Sequence, residues 1–249
     1  VAAIVSQAVV LKSAVSGESD AIVTFYTRQA GKLRAVAKGA KRSQKRFMNC
    51  LDLFGLVEAG LVRTRSQELL RVESCRLISR PDLSAEPLRL GLAGLAVELV
   101  LVFCPDLEPD EDLFAALTAG LAGLAGRPEP AHLGLAFCFR LLARAGFGPN
   151  LENCLVCQRP LDSLDRAGLA LDLGGLACSA CRPQVRQLSL GAIKAARLCQ
   201  QIQPAALGRI RFPPAELSRL FGLLAAYLER TAGREIRSLG FLGEVGLKI

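Results

Sequence analysis

Cys154-Leu155-Val156-Cys157 and Cys178-Ser179-Ala180-Cys181 are two C-x-x-C pairs with 20 residues between them. Each pair forms a knuckle whose two thiolates reach one ion at about 2.3 Å, and the loop between them brings the pairs together. The expected occupant of Cys154, Cys157, Cys178 and Cys181 is one Zn2+. Four thiolates complete a tetrahedron and leave no position for water, so the site is structural and not catalytic. Gly174-Gly175 supplies a tight turn before the second pair. Gln158 and Arg182 follow the knuckles, where glycine fits the backbone more easily. A different chemistry stays open for the same residues: a thiol-based redox protein or redox-controlled chaperone, which requires a depressed thiol pKa and reversible disulfides. Cys50, Cys75, Cys104, Cys138 and Cys199 sit among apolar neighbours and read as small core residues.

The second chemistry is electrostatic. The chain has 31 Lys and Arg against 23 Asp and Glu, a formal net charge of +8. Between Ala21 and Leu51 lie eight cations, Arg28, Lys32, Arg34, Lys38, Lys41, Arg42, Lys45 and Arg46, and no acid, so this window alone matches the whole net charge. A focused basic strip is the footprint of a polyanion binder; the plainer alternative is a solvated basic face. Strand periodicity puts Leu33, Ala35 and Ala37 on one face and Lys32, Arg34 and Lys38 on the other, and sets Tyr26 and Arg28 opposite Val23 and Phe25. If those strands are neighbours, their outer face offers one aromatic ring among four cations, a surface that tracks phosphates and stacks a base. For Tyr26 the competing role is to cover a hydrophobic edge.

Other chemistries lack their residues. Ser-His and Cys-His systems would all depend on His132, the one histidine, which reads as a satisfied surface or helix-end residue. Neither a G-x-x-x-x-G-K-[ST] loop nor a G-x-G-x-x-G turn after a strand is present. Glu108, Asp110, Glu111 and Asp112 cluster at a helix start, where they complement the dipole. Nothing in the chain reads as a catalytic centre.

The elements that must position these residues follow from composition and period. With 249 residues, 51% hydrophobic and 22% charged, the chain is long enough for one large domain or two small ones, and global disorder is excluded. The most apolar stretch, Leu88 to Cys104, is interrupted by Arg89 and Glu98, so no membrane span is expected. The first residues do not read as a signal peptide, and nine cysteines without an export signal point to a reducing compartment, the cytoplasm. Strands are predicted over Ala3–Lys12, Ala21–Arg28, Lys32–Lys38, Cys50–Ala59 and Leu69–Ser79; five short strands in about 80 residues fit an OB-fold barrel. Beyond Pro81 the pattern is helical: Ser84 to Cys104, Asp110 to Ala125, Ala131 to Ala145 (its stretch Leu133 to Leu142 apolar nearly all round apart from Arg140, hence central and buried), Leu190 to Ile202 and Ala215 to Thr231. Ile236 to Ile249 has no clear assignment. The expected class is α+β, with a five-stranded OB-fold barrel in residues 1–80. A mainly α-helical domain follows in 81–249, and the four-cysteine zinc module is inserted near 150–185.

Three stretches carry a resemblance. They are Gly17-Glu18-Ser19-Asp20 leading into Ile22-Val23-Thr24-Phe25-Tyr26-Thr27; Gly31-Lys32-Leu33-Arg34-Ala35-Val36-Ala37-Lys38-Gly39-Ala40-Lys41-Arg42; and Phe139-Arg140-Leu141-Leu142 through Gly146-Phe147-Gly148-Pro149-Asn150-Leu151 into the first cysteine pair, then Gly174-Gly175-Leu176-Ala177-Cys178. In order and spacing the chain resembles the RecO family of bacterial recombination mediators, with Gln158 departing from the glycine usual after the first pair. The resemblance implies an OB-fold followed by a helical domain, with zinc in members that keep the four cysteines. It implies a non-enzymatic, nucleoid-associated protein that binds single- and double-stranded DNA and anneals complementary strands. It further implies contact with the acidic, Phe-ended C-terminal tail of single-strand-binding protein and, with RecR, help in loading RecA. An RNA-binding OB protein with a zinc module remains an open alternative.

Overall fold

The computed structural model describes residues 3–43, 47–63 and 69–247. The chain divides into two compact units, Val1–Asp82 with Cys104–Ala122, and Leu83–Phe103 with Gly123–Ile249.

In the first unit β1 (Ala3–Ser16), β2 (Asp20–Thr27), β3 (Gly31–Ala37), β4 (Leu56–Val62) and β5 (Leu70–Ser79) close into a barrel in the order β1-β2-β3-β5-β4. β1 makes closure possible because it is long enough to serve two neighbours. Ala3–Val9 pair with β4 and Ala8–Ser16 with β2, and the register shifts between Val10 and Lys12 as the strand bends. The last seam is the short parallel pairing of Ala35 and Val36 with Leu70 and Arg71. Alternate residues fill the interior, among them Val10, Val23, Phe25, Leu33, Ala35, Val57, Leu61 and Val72. This is the OB-like barrel expected from the strand spacing.

β1 runs four residues past the expected Lys12, to Ser16, and two further boundaries differ from the sequence expectation. β4 begins at Leu56 and not at Cys50, because Asn49 and Phe54 adopt left-handed φ values of 58° and 67°, which a strand does not accommodate. Phe47 and Cys50 instead join the barrel core. The segment Cys104–Ala122, helical-part sequence by composition, belongs to the barrel unit. It pairs with the β3 edge beside the short β5 seam, where Lys32 and Asp106 form a parallel bridge.

The helical elements are α1 (Pro87–Phe103), α2 (Glu111–Gly126), α3 (Pro130–Arg144), α4 (Leu190–Gln201), α5 (Pro214–Ala232) and α6 (Arg237–Glu244), with a small sheet of β6 (Ala167–Ala170), β7 (Gly175–Cys178) and β8 (Gln187–Leu188) before α4. Within the second unit α3 is central and buried along twelve of its fifteen residues, as its nearly all-round apolar sequence requires. A Cβ added at Gly134 would stand 2.6 Å from Leu92 Cδ2, which marks how closely α3 approaches α1. Arg140 within α3 donates to the Gln200 carbonyl at 2.6 Å. The C-terminal stretch left unassigned by sequence is α6, whose Leu242 packs at Gly91 of α1. Among the described residues no helix is long and apolar enough to cross a membrane.

Candidate nucleic-acid face and metal centre

The metal centre is assembled by backbone pairing before any ion is considered. Gly174, at φ +73°, turns the chain into β7, and Asn150 pairs with Gly175 at the point where the first knuckle departs. Leu155 N–H donates to the Leu176 carbonyl at 2.8 Å, so the first knuckle hangs on the same strand that ends at Cys178. A Cβ at Gly175 would lie 2.7 Å from the Asn150 carbonyl oxygen, so only glycine allows this approach. Each knuckle is then closed by its own turn: Gln158 N–H donates to the Cys154 carbonyl at 2.8 Å and Arg182 N–H to the Cys178 carbonyl at 2.9 Å.

The result is that the sulfurs of Cys154, Cys157, Cys178 and Cys181 all lie within 4.8 Å of one another. Tetrahedral sulfur ligands about 2.3 Å from an ion stand about 3.8 Å apart. Cys157 Sγ and Cys178 Sγ are 3.9 Å apart. The four residues therefore fit one tetrahedrally bound metal ion. Cys154 and Cys178 are buried, Cys181 is partly exposed and Cys157 is exposed. Gln158 has the left-handed φ of 60° that its position after the knuckle demands, and its side chain is held by Asn153 and the Leu155 carbonyl. Arg182 is not left-handed, so the second knuckle has no need of glycine.

Arg159, which sequence reasoning passed over, supplies the local counter-charge. Its Nε and Nη2 each donate to sulfur at 3.5 Å, one to Cys157 and the other to Cys178. The Arg159 hydrogen bond pulls the Cys157 thiol down to about 6. Cys178 N–H adds a donor to Cys154 Sγ at 3.3 Å. Burial has the opposite effect elsewhere, raising Cys104, Cys138 and Cys199 to about 12, as suits inert core thiols.

On the barrel, Leu33, Ala35 and Ala37 are buried while Arg34 and Lys38 are exposed, as the alternation requires. The exposed cations continue into Lys41 and Arg42. Asp20, at the start of β2, fixes that loop: its Oδ1 accepts from Gly39 N–H at 2.8 Å, and Lys41 N–H donates to the neighbouring Ser19 carbonyl at 3.0 Å. The Gly39 hydrogen bond holds the Asp20 carboxyl below its usual range, and Lys38 Nζ stands 3.8 Å from its other oxygen. Lys45 and Arg46 lie outside the described residues.

Three expectations are corrected or narrowed. Tyr26 lies directly opposite Lys32, but it is 1% exposed and offers no ring for stacking. The barrel exterior is covered at this end: Val9, paired with Tyr26 from the other side, is also 1% exposed. Lys32 points outward but pairs with Asp106 at 3.2 Å, and its side chain is only 13% exposed. Arg28 is engaged by Glu111. Conversely, the ladder adds a cation that the charge window omits. Arg71 of β5 is in register with Val36 and so shares the face of Arg34, although its guanidinium pairs with Glu73. Only the β3–β5 pairing brings Arg71 to this face.

His132, third residue of α3, is 6% exposed and satisfied: its Nδ1 accepts from Phe212 N–H at 3.2 Å, and its ring stacks on Phe212. Asp110 caps α2, with its Oδ1 accepting from Leu113 N–H at 2.9 Å, and Glu111 and Asp112 occupy the first turn. The carboxylates thus complement the helix dipole as expected.

Comparison with known proteins agrees with both halves of this architecture. Residues 2–81 match the family model described as recombination protein O N terminal, and residues 84–240 match recombination protein O C terminal. The chain is 35% identical over 242 residues to the DNA repair protein RecO of Syntrophobacter fumaroxidans, covering 95% of this chain and 96% of that relative. To the DNA repair protein RecO of Syntrophus aciditrophicus it is 33% identical, over 95% and 93% of the two chains. To that of Myxococcus xanthus it is 32% identical, over 96% and 97%.

Proposed function

The chain belongs to the RecO family of DNA repair proteins, and from that premise we propose that it is a non-enzymatic recombination mediator which binds single- and double-stranded DNA on its barrel and anneals complementary strands. The observation that carries the reading is the run of exposed cations Arg34, Lys38, Lys41 and Arg42 along one strand of the closed barrel and the loop that Asp20 pins beside it. Annealing requires two polyanions to approach. A cationic surface that neutralises phosphates on both lowers the repulsion between them, and no bond is made or broken. Lys45 and Arg46 extend the same charge along the sequence.

Zn2+ is the ion we assign to Cys154, Cys157, Cys178 and Cys181, on the strength of an all-thiolate donor set. It supplies folding energy to the module between α3 and α4, while the surrounding residues orient the sulfurs and offset their charge. The partners in this reading are RecR, the C-terminal tail of single-strand-binding protein and, functionally, RecA, in the bacterial cytoplasm at the nucleoid.

The test is the annealing rate of complementary single strands, naked or pre-coated with the cognate single-strand-binding protein, with and without this chain. Acceleration of both supports the mediator reading. Acceleration of naked strands alone keeps DNA annealing and removes the tail contact. Acceleration of neither, together with tighter binding to RNA than to single-stranded DNA, replaces the reading with the RNA-binding one.

A further inference from the structure

The segment after α1 runs Pro105-Asp106-Leu107-Glu108-Pro109-Asp110-Glu111-Asp112, five carboxylates in eight residues. It is docked on the barrel's basic face by main-chain contacts. Leu107 N–H donates to the Lys32 carbonyl at 2.8 Å, and Asp106 extends the β3 edge as a parallel bridge. Gly31 has φ +66°, and a Cβ there would stand 2.2 Å from the Glu108 carbonyl oxygen, so the strap lies flush against the β2–β3 turn. Leu107 takes a left-handed φ of 61° to make the bend, and Asp110 then caps α2. This backbone frame fixes where the acidic side chains stand. Asp106 meets Lys32 at 3.2 Å, and Glu111 Oε1 accepts from both Nε and Nη2 of Arg28.

We propose that this strap is a built-in phosphate substitute that ends the nucleic-acid track at β3, so that a bound strand uses Arg34, Lys38, Lys41 and Arg42 and stops short of Lys32 and Arg28. The inference rests on the barrel-face reading above and adds a boundary to it. Three arguments support the boundary. Lys32, with a side chain 13% exposed and an anion already beside it, has little surface to give a phosphate. Arg28 is 52% exposed and otherwise well placed, yet its Nε and Nη2 are both already engaged by one carboxylate oxygen of Glu111. Beyond them, the exposed Asp106 and Glu108 repel phosphates within a Debye length of about 8 to 10 Å at moderate salt. The exposed Arg28–Glu111 pair contributes little to stability, as such pairs do. Its effect is local competition for Arg28, whose two donors already have an anion, whereas Lys38 meets Asp20 in the looser contact of 3.8 Å and stays on the track.

The experiment is a salt titration of oligo(dT) binding to the full chain by fluorescence anisotropy, reading the slope of log K against log salt. For single strands each phosphate contact contributes about 0.7 to that slope. The variants are Arg28→Ala, Glu111→Ala, both together, and Arg34→Ala with Lys41→Ala. The inference expects Arg28→Ala to leave the slope unchanged, Glu111→Ala to steepen it by about 0.7, and the Arg28→Ala/Glu111→Ala variant to return to the parental slope. Arg34→Ala with Lys41→Ala should flatten it by about 1.4. Flattening by Arg28→Ala alone, or no steepening by Glu111→Ala while Arg34→Ala/Lys41→Ala responds, overturns the boundary and leaves the barrel face standing. No response to Arg34→Ala/Lys41→Ala overturns the barrel face itself, and the boundary with it.

Discussion

Arg159 donates through Nε to Cys157 Sγ at 3.5 Å, while its Nη2 reaches Cys178 in the other knuckle. One guanidinium therefore ties both C-x-x-C pairs and offsets part of the formal −2 charge that Zn2+ with four thiolates would carry. Arg159→Met should keep about one Zn2+ per purified chain but release it to a chelator at least tenfold faster, with Arg159→Lys in between. Metal release followed by a chromogenic chelator checks this. Release from Arg159→Met at the parental rate would show that the guanidinium is a bystander.

Removing the metal should cost the second unit its order. Chelation is expected to lower the thermal midpoint and expose the module between α3 and α4 to protease, with re-addition of Zn2+ restoring both. Less than about 0.2 Zn2+ per freshly purified chain would remove the metal assignment in favour of thiol chemistry.

His132 gives the chain a pH response above the carboxylate range. Burial lowers its pKa from the usual 6.5, with Glu129 opposing and Arg211 reinforcing the shift. The neutral ring keeps Nδ1 free to accept from Phe212 N–H. The unfolded chain takes up a proton near 6.5 while the folded chain resists it, so stability is full above that pH and falls as pH drops below it. The single histidine makes the ring signal unambiguous by NMR: its titration midpoint should lie below 6.5, and His132→Asn should flatten the stability profile between pH 5 and 7. A midpoint at or above 6.5 would contradict the buried neutral ring.

Gly31→Ala tests the strap's docking. The residue would need a left-handed φ, costing about 1 to 2 kcal/mol, and its Cβ would collide with a backbone carbonyl, so the total should reach about 2 kcal/mol or more. Thermal unfolding measures it. Gly17→Ala, also left-handed at φ +63° but with nothing within 4 Å, should cost only the first part.

Glu98 on α1 accepts from Arg237 N–H, Ser238 N–H and Ser238 Oγ at 3.0, 2.8 and 2.6 Å, capping α6 from 139 residues earlier in the chain. Glu98→Ala should destabilise α6 by about 1 to 2 kcal/mol and speed hydrogen exchange over residues 238–242 about tenfold.

These cases show what was legible in the sequence. The barrel strands were, because burial on one side imposes a period of two, and Leu33, Ala35 and Ala37 against Arg34 and Lys38 obey it. The cysteine cluster was, because each knuckle is local and spacing alone defines it. Of the two roles open to Tyr26, stacking is ruled out by its burial and the competing covered role agrees with it, for a tertiary reason: the outward face of β2 is solvent only if nothing covers it, and alternation reports the side of a strand without reporting what lies there. The strap that disarms Arg28 and Lys32 comes from beyond α1, so a charge count within one window includes both cations as if they were available. α6 escaped notice because it is eight residues long and depends on Glu98 for its cap. Gln158 was legible as a strained position but not as a tolerated one, since its hydrogen bonds to Asn153 and Leu155 appear only in the folded knuckle.

The most direct test of the central claim compares the parent chain with Arg34→Ala/Lys41→Ala/Arg42→Ala in annealing complementary strands coated with the cognate single-strand-binding protein. Zn2+ content and thermal stability are matched first. The expected result is acceleration by the parent and at least a tenfold loss of it in the variant, with raised salt slowing the parent and leaving the residual rate nearly flat. Equal acceleration by both chains would contradict the assignment of annealing to the β3 face.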